Sequence, residues 1–480
     1  MKKVVAILVL LTTGLGLFAQ NEDDALRYSF LTPMGTARFS AMGGGFGALG
    51  ADLSLTAQNP AGLGVYRHNS VFTITPTFVF NNTNSSYLDN KLNDFSYGVQ
   101  FNNLGLVLTF SSDDKKEGWI NTNFAVTYNR LADFRNDINA EGINKTSSLT
   151  DYFVQMANGN PPNALYEFEE GLAFDTYLID TVPGTVSTYH NVYNGKYGEL
   201  QSYQQTTKGG IGEFNFAFAG NYENKLYLGA SFNIQTINYS HKKIITEADQ
   251  YDSIPNFYYF TFTDNLNTEG TGANLKFGLL YKINRLFRVG LAIHTPTFFS
   301  MEDDYYTRIK THYDTSSFDY SSSRNKYDYS LITPARYIGS IGFVFSQNGV
   351  LSLDIEGVNY GSARLKSDDY NFTNENSNIA DLYTWGLNIR GGVEYNIGII
   401  ALRGGVGYYS SPYKSDKSRY ALNYNGGIRI RGESLYLDLT YSMTQKNAVI
   451  YPYKLTDKPV SAINANQTLN YFTATVGVRF

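Results

Sequence analysis

The glycine-rich stretch Gly45–Gly50 is the part of this sequence that comes nearest to a cofactor-binding motif. It reads Gly-Phe-Gly-Ala-Leu-Gly and matches the GxGxxG pattern that holds a dinucleotide pyrophosphate. That pattern requires a hydrophobic strand before the glycines and a helix after them. Thr36–Met42 is a poor strand, and Asn59-Pro60 cuts the following segment short. We therefore interpret these glycines as a means of close packing and expect no bound cofactor.

Other residues that could do chemistry are scattered. The sequence has no GxSxG, HExxH or phosphate-loop motif, and no pair of its five histidines has metal-ligand spacing. Adjacent carboxylates such as Asp113-Asp114 fall in predicted turns, where charges are usually solvated. A triad assembled from distant strands stays open in principle. We predict a protein that is not an enzyme and has no metal site, and its net charge of −5 gives no reason to expect nucleic acid as a partner.

The amino terminus carries an export signal. A basic start at Met1-Lys2-Lys3 precedes the apolar run Val4–Leu17, and cleavage is expected after Ala19. The chain has no cysteine, which excludes a disulfide framework and a lipid-anchored amino terminus. We therefore assign residues 1–19 to a signal peptide.

The segment Pro33–Tyr66 predicts a compact body packed against a surrounding wall. Seven glycines and five alanines fill half of the 24 positions from Ala41 to Gly64. No helix or strand interior tolerates so much glycine, because ordering each one costs additional backbone entropy. We predict that residues 20–67 form a hatch, or plug, inside a wall made by residues 68–480.

The rest of the chain has the pattern of a membrane barrel. Charged residues are only 17% of the chain, against roughly 25% in soluble domains, and no apolar run after the signal reaches the length of about 20 residues that a membrane helix needs. Residues 435–440 alternate leucine with polar or tyrosine side chains, and many other segments share this two-residue period. Such alternation predicts strands with one face toward lipid and one toward the lumen.

The connections predict the number of strands. Six short turns, centred on the segments 111–118, 221–225, 282–285, 346–350, 396–398 and 431–434, alternate with seven longer polar loops at 81–93, 132–208, 242–267, 301–326, 367–381, 410–417 and 446–466. Thirteen connections join fourteen strands. The predicted fold class is all-β, a transmembrane antiparallel β-barrel of about 14 strands with an N-terminal lumenal hatch, in the bacterial outer membrane.

The carboxyl-terminal strand supports the same fold. Residues 471–480 alternate in the same way and stop at Phe480. A terminal aromatic on such a strand is typical of chains delivered to the barrel-assembly machinery. We expect that machinery, outer-membrane lipid and lipopolysaccharide among the partners of this chain.

Several charged residues fall on the lumen side of the predicted strands. A charge facing lipid near the midplane costs about 2–4 kcal/mol for arginine, so these side chains belong in the lumen. Their mixed signs predict pairing with one another and with the hatch rather than a selective pore. The residues are Asp354, Glu356, Arg390, Glu394, Arg403, Arg429, Arg431, Asp438 and Arg479.

The largest loop, 132–208, carries two apolar stripes at helical spacing. One contains Leu149, Phe153 and Met156, and the other is formed by the residues Leu165, Phe168 and Leu172. The stripes predict either a lid with its own small core or an apolar groove where a hydrophobic ligand first binds.

Specific motifs resemble the FadL/TodX family of hydrophobic-compound transporters. The segment Gly43–Phe46, followed by Asn59-Pro60-Ala61, resembles the hatch of that family. The segment Leu172–Asp180 is similar to a loop of its Bacteroidetes-type members, and Thr333–Arg336 matches a position that opens a descending strand.

The resemblance implies a fourteen-stranded barrel that takes up hydrophobic compounds such as long-chain fatty acids passively. Ligands would pass from an extracellular groove to a lumenal pocket, and a shift of the hatch, permitted by its glycines, would couple their binding to opening. They would leave through a lateral opening beside a kinked third strand, Trp119–Leu131, in which no proline or glycine breaks Asn121–Leu131. The implied hatch residues are Gly43, Gly44, Gly45, Phe46, Gly47, Asn59, Pro60 and Ala61, and the predicted ligand contacts are Phe39, Phe46, Leu49, Leu165, Phe168, Leu172 and Phe174.

Two other functions stay open. A haem or haemin receptor would need axial His or Tyr ligands; tyrosine is abundant, but the predicted hatch contains no histidine. A non-transporting barrel, with a structural or adhesive role at the surface, has the same strand pattern.

Overall fold

The computed structural model describes residues 22–67, 70–111, 117–345 and 348–480. The predicted signal peptide, residues 1–19, lies outside them. The strands are β1 (Val71–Tyr87), β2 (Asn90–Ser111), β3 (Trp119–Asp133), β4 (Asn136–Asn144), β5 (Ile179–Thr181), β6 (Tyr189–Asn191), β7 (Glu199–Tyr222), β8 (Leu226–Ala248), β9 (Phe257–Lys282), β10 (Phe287–His294), β11 (Phe298–Tyr313), β12 (Ser317–Ser321), β13 (Asn325–Ile332), β14 (Arg336–Phe345), β15 (Gly349–Asn359), β16 (Arg364–Lys366), β17 (Trp385–Ile397), β18 (Ile400–Tyr409), β19 (Ala421–Arg431), β20 (Leu435–Ile450) and β21 (Ile463–Arg479).

Five α-helices and four short 3₁₀ segments accompany the strands in the described residues. They are α1 (Glu22–Ser29), α2 (Ala37–Ala41), α3 (Leu149–Ala157), α4 (Glu170–Asp175) and α5 (Thr373–Leu382), with 3₁₀ segments at Leu53–Ala57, Pro60–Val65, Pro162–Ala164 and Tyr360–Ser362. None of the described helices combines the length and the apolar character that crossing a membrane requires.

The large sheet closes on itself, because β1 pairs with both β2 and the last strand, β21. Four wall positions consist of two consecutive segments each: β3 with β4, β10 with β11, β13 with β14, and β15 with β16. The hairpin β5–β6 is a separate two-stranded sheet, and among the described strands β12 pairs with β11 alone. The wall therefore has fourteen antiparallel positions, as the connections predict, and it is a closed barrel rather than a sandwich.

The two faces of the wall differ as the alternation predicts. Outward side chains such as Leu291, Ile341 and Phe472 are 58%, 55% and 51% exposed, whereas inward Asn123 and Asn215 are fully buried. Where its neighbouring strands pair, a closed barrel satisfies the backbone groups of its wall internally, which lipid requires. A closed barrel with an apolar outer surface is a membrane-spanning protein of the bacterial outer membrane.

The strands at the long-loop end run further than predicted. The structure continues the sheet through most of the predicted loops 81–93, 242–267 and 301–326, and the β1–β2 hairpin turns only between Tyr87 and Asn90. The lipid-facing apolar alternation ends where lipid ends, but backbone pairing continues above the bilayer, where buried apolar side chains such as Ile245, Phe260 and Ile309 lie on the inward face. A lipid-facing apolar face therefore does not mark where these strands end.

Residues 145–198 form a cap over the long-loop end of the barrel. Within the predicted loop 132–208, β4 and the first part of β7 belong to the sheet, so the cap is the remainder. Helix α3 begins after Ser148, whose hydroxyl accepts from Thr150 N at 2.9 Å. Phe153 is fully buried and packs against Phe262 of β9, with ring centroids 5.7 Å apart. The apolar stripes thus lie in a core shared with the barrel mouth, which agrees with a lid.

Candidate functional site

Residues 22–66, called here the lumenal segment, lie inside the barrel and approach its wall backbone to backbone. A Cβ atom on Gly405 would lie 2.3 Å from Gly43 N, and one on Gly290 would lie 2.5 Å from Gly47 O. Glycines of the segment therefore face glycines of the wall. The wall glycines were not singled out from the sequence, although their inward position in each strand is a signal that strand alternation provides.

Asp354 of β15 anchors the glycine turn of the lumenal segment. Its carboxylate accepts from Phe46 N at 3.1 Å and from Gly47 N at 3.1 Å, and it accepts from Gln58 Nε2 at 2.7 Å. Three donors from one segment satisfy a carboxylate that is itself fully buried. This contact ties the predicted hatch residues directly to the wall.

Asn59 begins the second turn of the predicted hatch. Its Oδ1 accepts from Ala61 N at 3.2 Å, which caps the 3₁₀ segment that starts at Pro60. Its Nδ2 donates to Gly47 O at 2.8 Å and to Leu279 O of β9 at 3.2 Å. One side chain thus joins the two halves of the lumenal segment to each other and to the wall.

The lumenal charges pair as the mixed signs predict. Glu394 accepts from Arg38 of the lumenal segment at 2.8 Å and from Arg403 of β18 at 2.6 Å. Glu356 accepts from Arg336 at 2.7 Å and from Arg390 at 2.9 Å. Two of the predicted inward charges differ: Arg431 lies exposed at the short-turn end of β19, and Arg479 forms no ion pair with a described carboxylate.

The predicted ligand contacts fall into two separate clusters. Phe39, Phe46 and Leu49 pack with one another inside the lumenal segment, below the barrel mouth. The other four lie in the cap: Phe168 and Leu172 are buried, while Leu165 and Phe174 are half-buried. Phe168 stacks on Tyr305 of β11 with ring centroids 5.6 Å apart.

Between these clusters lies an apolar chamber that the sequence did not reveal. Its wall side chains are Leu131, Ile211, Ile237, Tyr239, Leu266, Phe299, Met301, Tyr329, Leu331 and Tyr360. Helix α1 and the residues after it fill it: Tyr28 meets Tyr239 edge-on at 6.1 Å, and Phe30 stacks on Tyr360 at 5.8 Å. Because α1 is short and begins with three acidic residues, its sequence gives little sign of a buried position.

The wall beside the chamber has a gap between β2 and β3. These strands pair from Ser111 opposite Asn121 only as far as Asn103 opposite Asn129. Above that point β2 pairs with β1 alone, and β4 pairs with β7 and leans inward, where Arg135 O accepts from Asn81 Nδ2 of β1 at 2.8 Å. The wall therefore lacks ladder bonds on this side, and β4 contacts β2 through a side chain, with Asp94 accepting from Asn139 N at 2.7 Å.

Residues 32–34 of the lumenal segment cover the gap from inside. Thr32 N donates to Leu131 O and Met34 N donates to Arg130 O, each at 2.9 Å. On the other side of the gap, Gln100 Nε2 of β2 lies 3.4 Å from Met34 Sδ. These contacts place one short stretch of backbone against both edges of the gap.

The bend that opens the gap has its cause in the neighbouring strand. The β3–β7 register shifts at Leu131, between Arg130 and Ala132. Opposite this bulge, Gly209 has φ +103°, and a Cβ on Gly210 would lie 2.3 Å from Ala132 O. The glycines that permit the bend thus lie in β7, which explains why β3 itself needs neither proline nor glycine.

Solved structures share this architecture. No protein-family model and no curated protein sequence matches the chain. A Pseudomonas aeruginosa FadL homologue superposes with a TM-score of 0.57 at 13% identity, over 94% of this chain and 99% of that one. The chain has the FadL-type barrel fold. The Pseudomonas putida toluene transporter TodX gives 0.55 at 12% identity over 93% and 98%, and the Ralstonia pickettii toluene transporter TbuX gives 0.50 at 13% over 93% and 98%.

Within this FadL-type fold the gap faces lipid. The outward side chains of β2 along the gap are apolar or aromatic and exposed: Phe95, Tyr97, Val99 and Phe101, at 57%, 76%, 68% and 52%. Pairing between β2 and β3 ends eight residues from Ser111, which lies at the short-turn end. For a tilted strand this length places the lower edge of the gap about 20 Å above that end of the barrel. That height corresponds to the leaflet on the long-loop side.

Proposed function

We propose that this chain is an outer-membrane channel for passive uptake of hydrophobic small molecules, long-chain fatty acids among them. One observation carries the proposal: a continuous stretch of the lumenal segment both fills the apolar chamber and covers the wall gap. Lipopolysaccharide blocks direct entry of hydrophobic solutes into the bilayer, so an apolar route behind polar loops is a useful path across it.

The route begins at the cap. Phe168, stacked on Tyr305, and the half-buried Leu165 and Phe174 lie where the cap meets the barrel mouth. Apolar side chains at such a seam give a hydrophobic molecule a first contact out of water. These residues, predicted from the sequence as ligand contacts, are proposed to line this first stage.

The second stage is exchange inside the chamber. Tyr28 and Phe30 occupy it through apolar and ring contacts, which are non-directional and can be replaced by another apolar molecule. Each Å² of apolar surface a ligand buries contributes roughly 25 cal/mol, so an alkyl chain or aromatic ring competes with them on equal terms. A ligand in the chamber therefore displaces α1 and the residues that follow it.

The third stage is release through the gap. Phe30 lies two residues before Thr32, whose backbone holds the gap closed at Leu131. Displacing Phe30 therefore pulls on the backbone that covers the gap, while Leu131 remains shared by chamber and gap. The ligand then leaves sideways into the bilayer. TodX and TbuX are described as toluene transporters, and their shared fold supports a hydrophobic cargo here.

Locking residue 34 to the wall tests the proposal. In a Met34→Cys, Gln100→Cys protein the two sulfurs face each other across the gap, and a short bifunctional thiol reagent joins them. We expect bridging to abolish uptake of a fluorescent fatty-acid analogue by whole cells, because residue 34 is then fixed to β2 and residues 32–34 cannot uncover the gap. The same double-cysteine protein without reagent is the control. Uptake that survives complete bridging would contradict the gate.

A purified sample separates the alternatives. A haem receptor would show a Soret absorption band after incubation with haemin, and a structural or adhesive barrel would bind neither haemin nor the fatty-acid analogue. We expect the purified protein to bind the fatty-acid analogue. The substitution Asp354→Asn, at the carboxylate that anchors the hatch, should weaken this binding. Binding of haemin alone would favour the receptor.

A further inference from the structure

We propose that a second site, at the short-turn end of the lumen, binds the carboxylate or phosphate head of an amphiphile. The site lies on the opposite side of the lumenal segment from the apolar chamber. It goes beyond the proposed function because it requires neither movement of α1 nor release through the wall gap.

The site is a cavity of about 280 Å³, far more than one water needs. Four arginines and two carboxylates line it: Arg38, Arg67, Arg429, Arg479, Asp52 and Asp438. Arg67 is exposed next to the first barrel strand, and Arg479 lies one residue from the carboxyl terminus. The cavity therefore opens toward the short-turn end, which faces the periplasm.

Both carboxylates already have partners. Asp438 accepts from Nε and Nη2 of Arg429 at 2.8 Å and also pairs with Arg403. Asp52 accepts from the Thr36 hydroxyl at 2.8 Å and from Ser54 N at 2.9 Å. Among the described residues, neither acid forms an ion pair with Arg67 or Arg479.

Arg479 is a cavity-lining charge without an acidic partner in the described part of the chain. Its guanidinium carbon lies 5.2 Å from the ring centroid of Tyr436, and that of Arg429 lies 4.5 Å from the same centroid. Two like charges thus share one aromatic ring, and no described carboxylate forms an ion pair with Arg479. An anion in the cavity would relieve their repulsion and accept charge-assisted hydrogen bonds.

The rest of the lining selects an amphiphile over a free anion. Leu53, Val65 and Val71 form an apolar side of the same cavity, and Leu53 and Val71 belong to a larger apolar cluster at this end of the lumen. Guanidiniums on one side and aliphatic groups on the other fit a charged head with a short alkyl part. A fatty carboxylate has this form.

Chemical protection tests the site residue by residue. The mature protein in non-ionic detergent is treated with phenylglyoxal, which modifies accessible guanidiniums, and modification at each arginine is followed by mass spectrometry. We expect decanoate to slow modification of Arg479 about tenfold, and decanol to leave it unchanged. Arg431, which is exposed at the same end but does not line the cavity, is the internal control and should react equally in all samples.

A variant and a second ligand show which chemical group the site binds. Arg67→Gln removes one lining charge without touching a strand, and we expect it to raise the decanoate concentration needed for protection about tenfold. Equal protection by inorganic phosphate would show a free-anion site and overturn the amphiphile. Equal modification with and without decanoate would overturn the site itself. These outcomes do not depend on uptake, so they separate this proposal from the channel.

Discussion

At the residue scale, the lumenal segment is held by contacts that only glycine and a few polar groups permit. Gly43 and Gly405 meet backbone to backbone, and Asp354 receives three donors from the lumenal segment. Contacts of this kind leave no room for even one additional methyl group between the segment and the wall. The segment therefore has one seated position, which it either occupies or leaves.

Gly405→Ala tests how tightly the segment is seated. A Cβ there would lie 2.3 Å from Gly43 N, against backbone that cannot yield. We expect the seated state to lose about 1–3 kcal/mol, the usual range for overpacking. Faster proteolytic cleavage within residues 33–66, with the barrel still folded, is the measurement.

The matched control is Gly339→Ala, also in a barrel strand. A Cβ at Gly339 has no atom within 4 Å. This variant should be cleaved at the wild-type rate. Equal cleavage of both variants would show that the close approach at Gly405 does not hold the segment.

At the element scale, the cap is held to the barrel by a buried acidic pair. Glu247, at the end of β8, accepts from Leu149 N at 2.7 Å at the start of α3 and from Gln201 Nε2 at 2.5 Å. These strand ends lie far beyond the 9–11 residues that cross the bilayer. Burial raises the pKa of Glu247 to about 7, and burial with repulsion from Glu247 raises the pKa of Glu199 to about 8.

The cap should therefore loosen as the pH rises. An unfolded glutamate has a pKa of about 4.3, so between roughly pH 4 and pH 8 the closed cap holds more protons than the open one. Stability is full below this range and falls as the pH rises through it. We expect hydrogen exchange in residues 145–198, corrected for intrinsic rates, to show less protection at pH 8 than at pH 5.

Glu247→Gln should flatten this dependence, because the amide does not ionise. Asp180→Asn, at an exposed position in the same cap, is the control and should keep the wild-type slope. An unchanged slope in Glu247→Gln would show that another group controls the cap.

The sequence predicts some elements well and others poorly, for physical reasons. Fourteen strands and their short turns follow from alternation, since lipid forces one face of each strand to be apolar. The bend in β3 does not, because the glycines that permit it, Gly209 and Gly210, lie in β7. The chamber was missed because its occupant, α1, begins with acidic residues and contacts strands distant in sequence.

At the scale of the whole molecule, one continuous stretch of the lumenal segment contacts both the chamber and the wall gap. Ala25 and Tyr28 are buried in the chamber, Leu26, Phe30 and Leu31 pack half-buried against it, and Thr32 and Met34 hydrogen-bond to the edge of the gap. Residues 36–66 remain anchored to the wall by Asp354, Asn59 and the glycine contacts. The proposed channel therefore requires a ligand to displace the amino-terminal part while the glycine-rich part stays seated.

Hydrogen exchange of residues 22–34 during titration with a long-chain fatty acid tests this claim most directly. We expect exchange in this stretch to rise with ligand occupancy, while exchange in residues 43–61 stays constant. Stoichiometric binding that leaves residues 22–34 as protected as before, or more so, would contradict it.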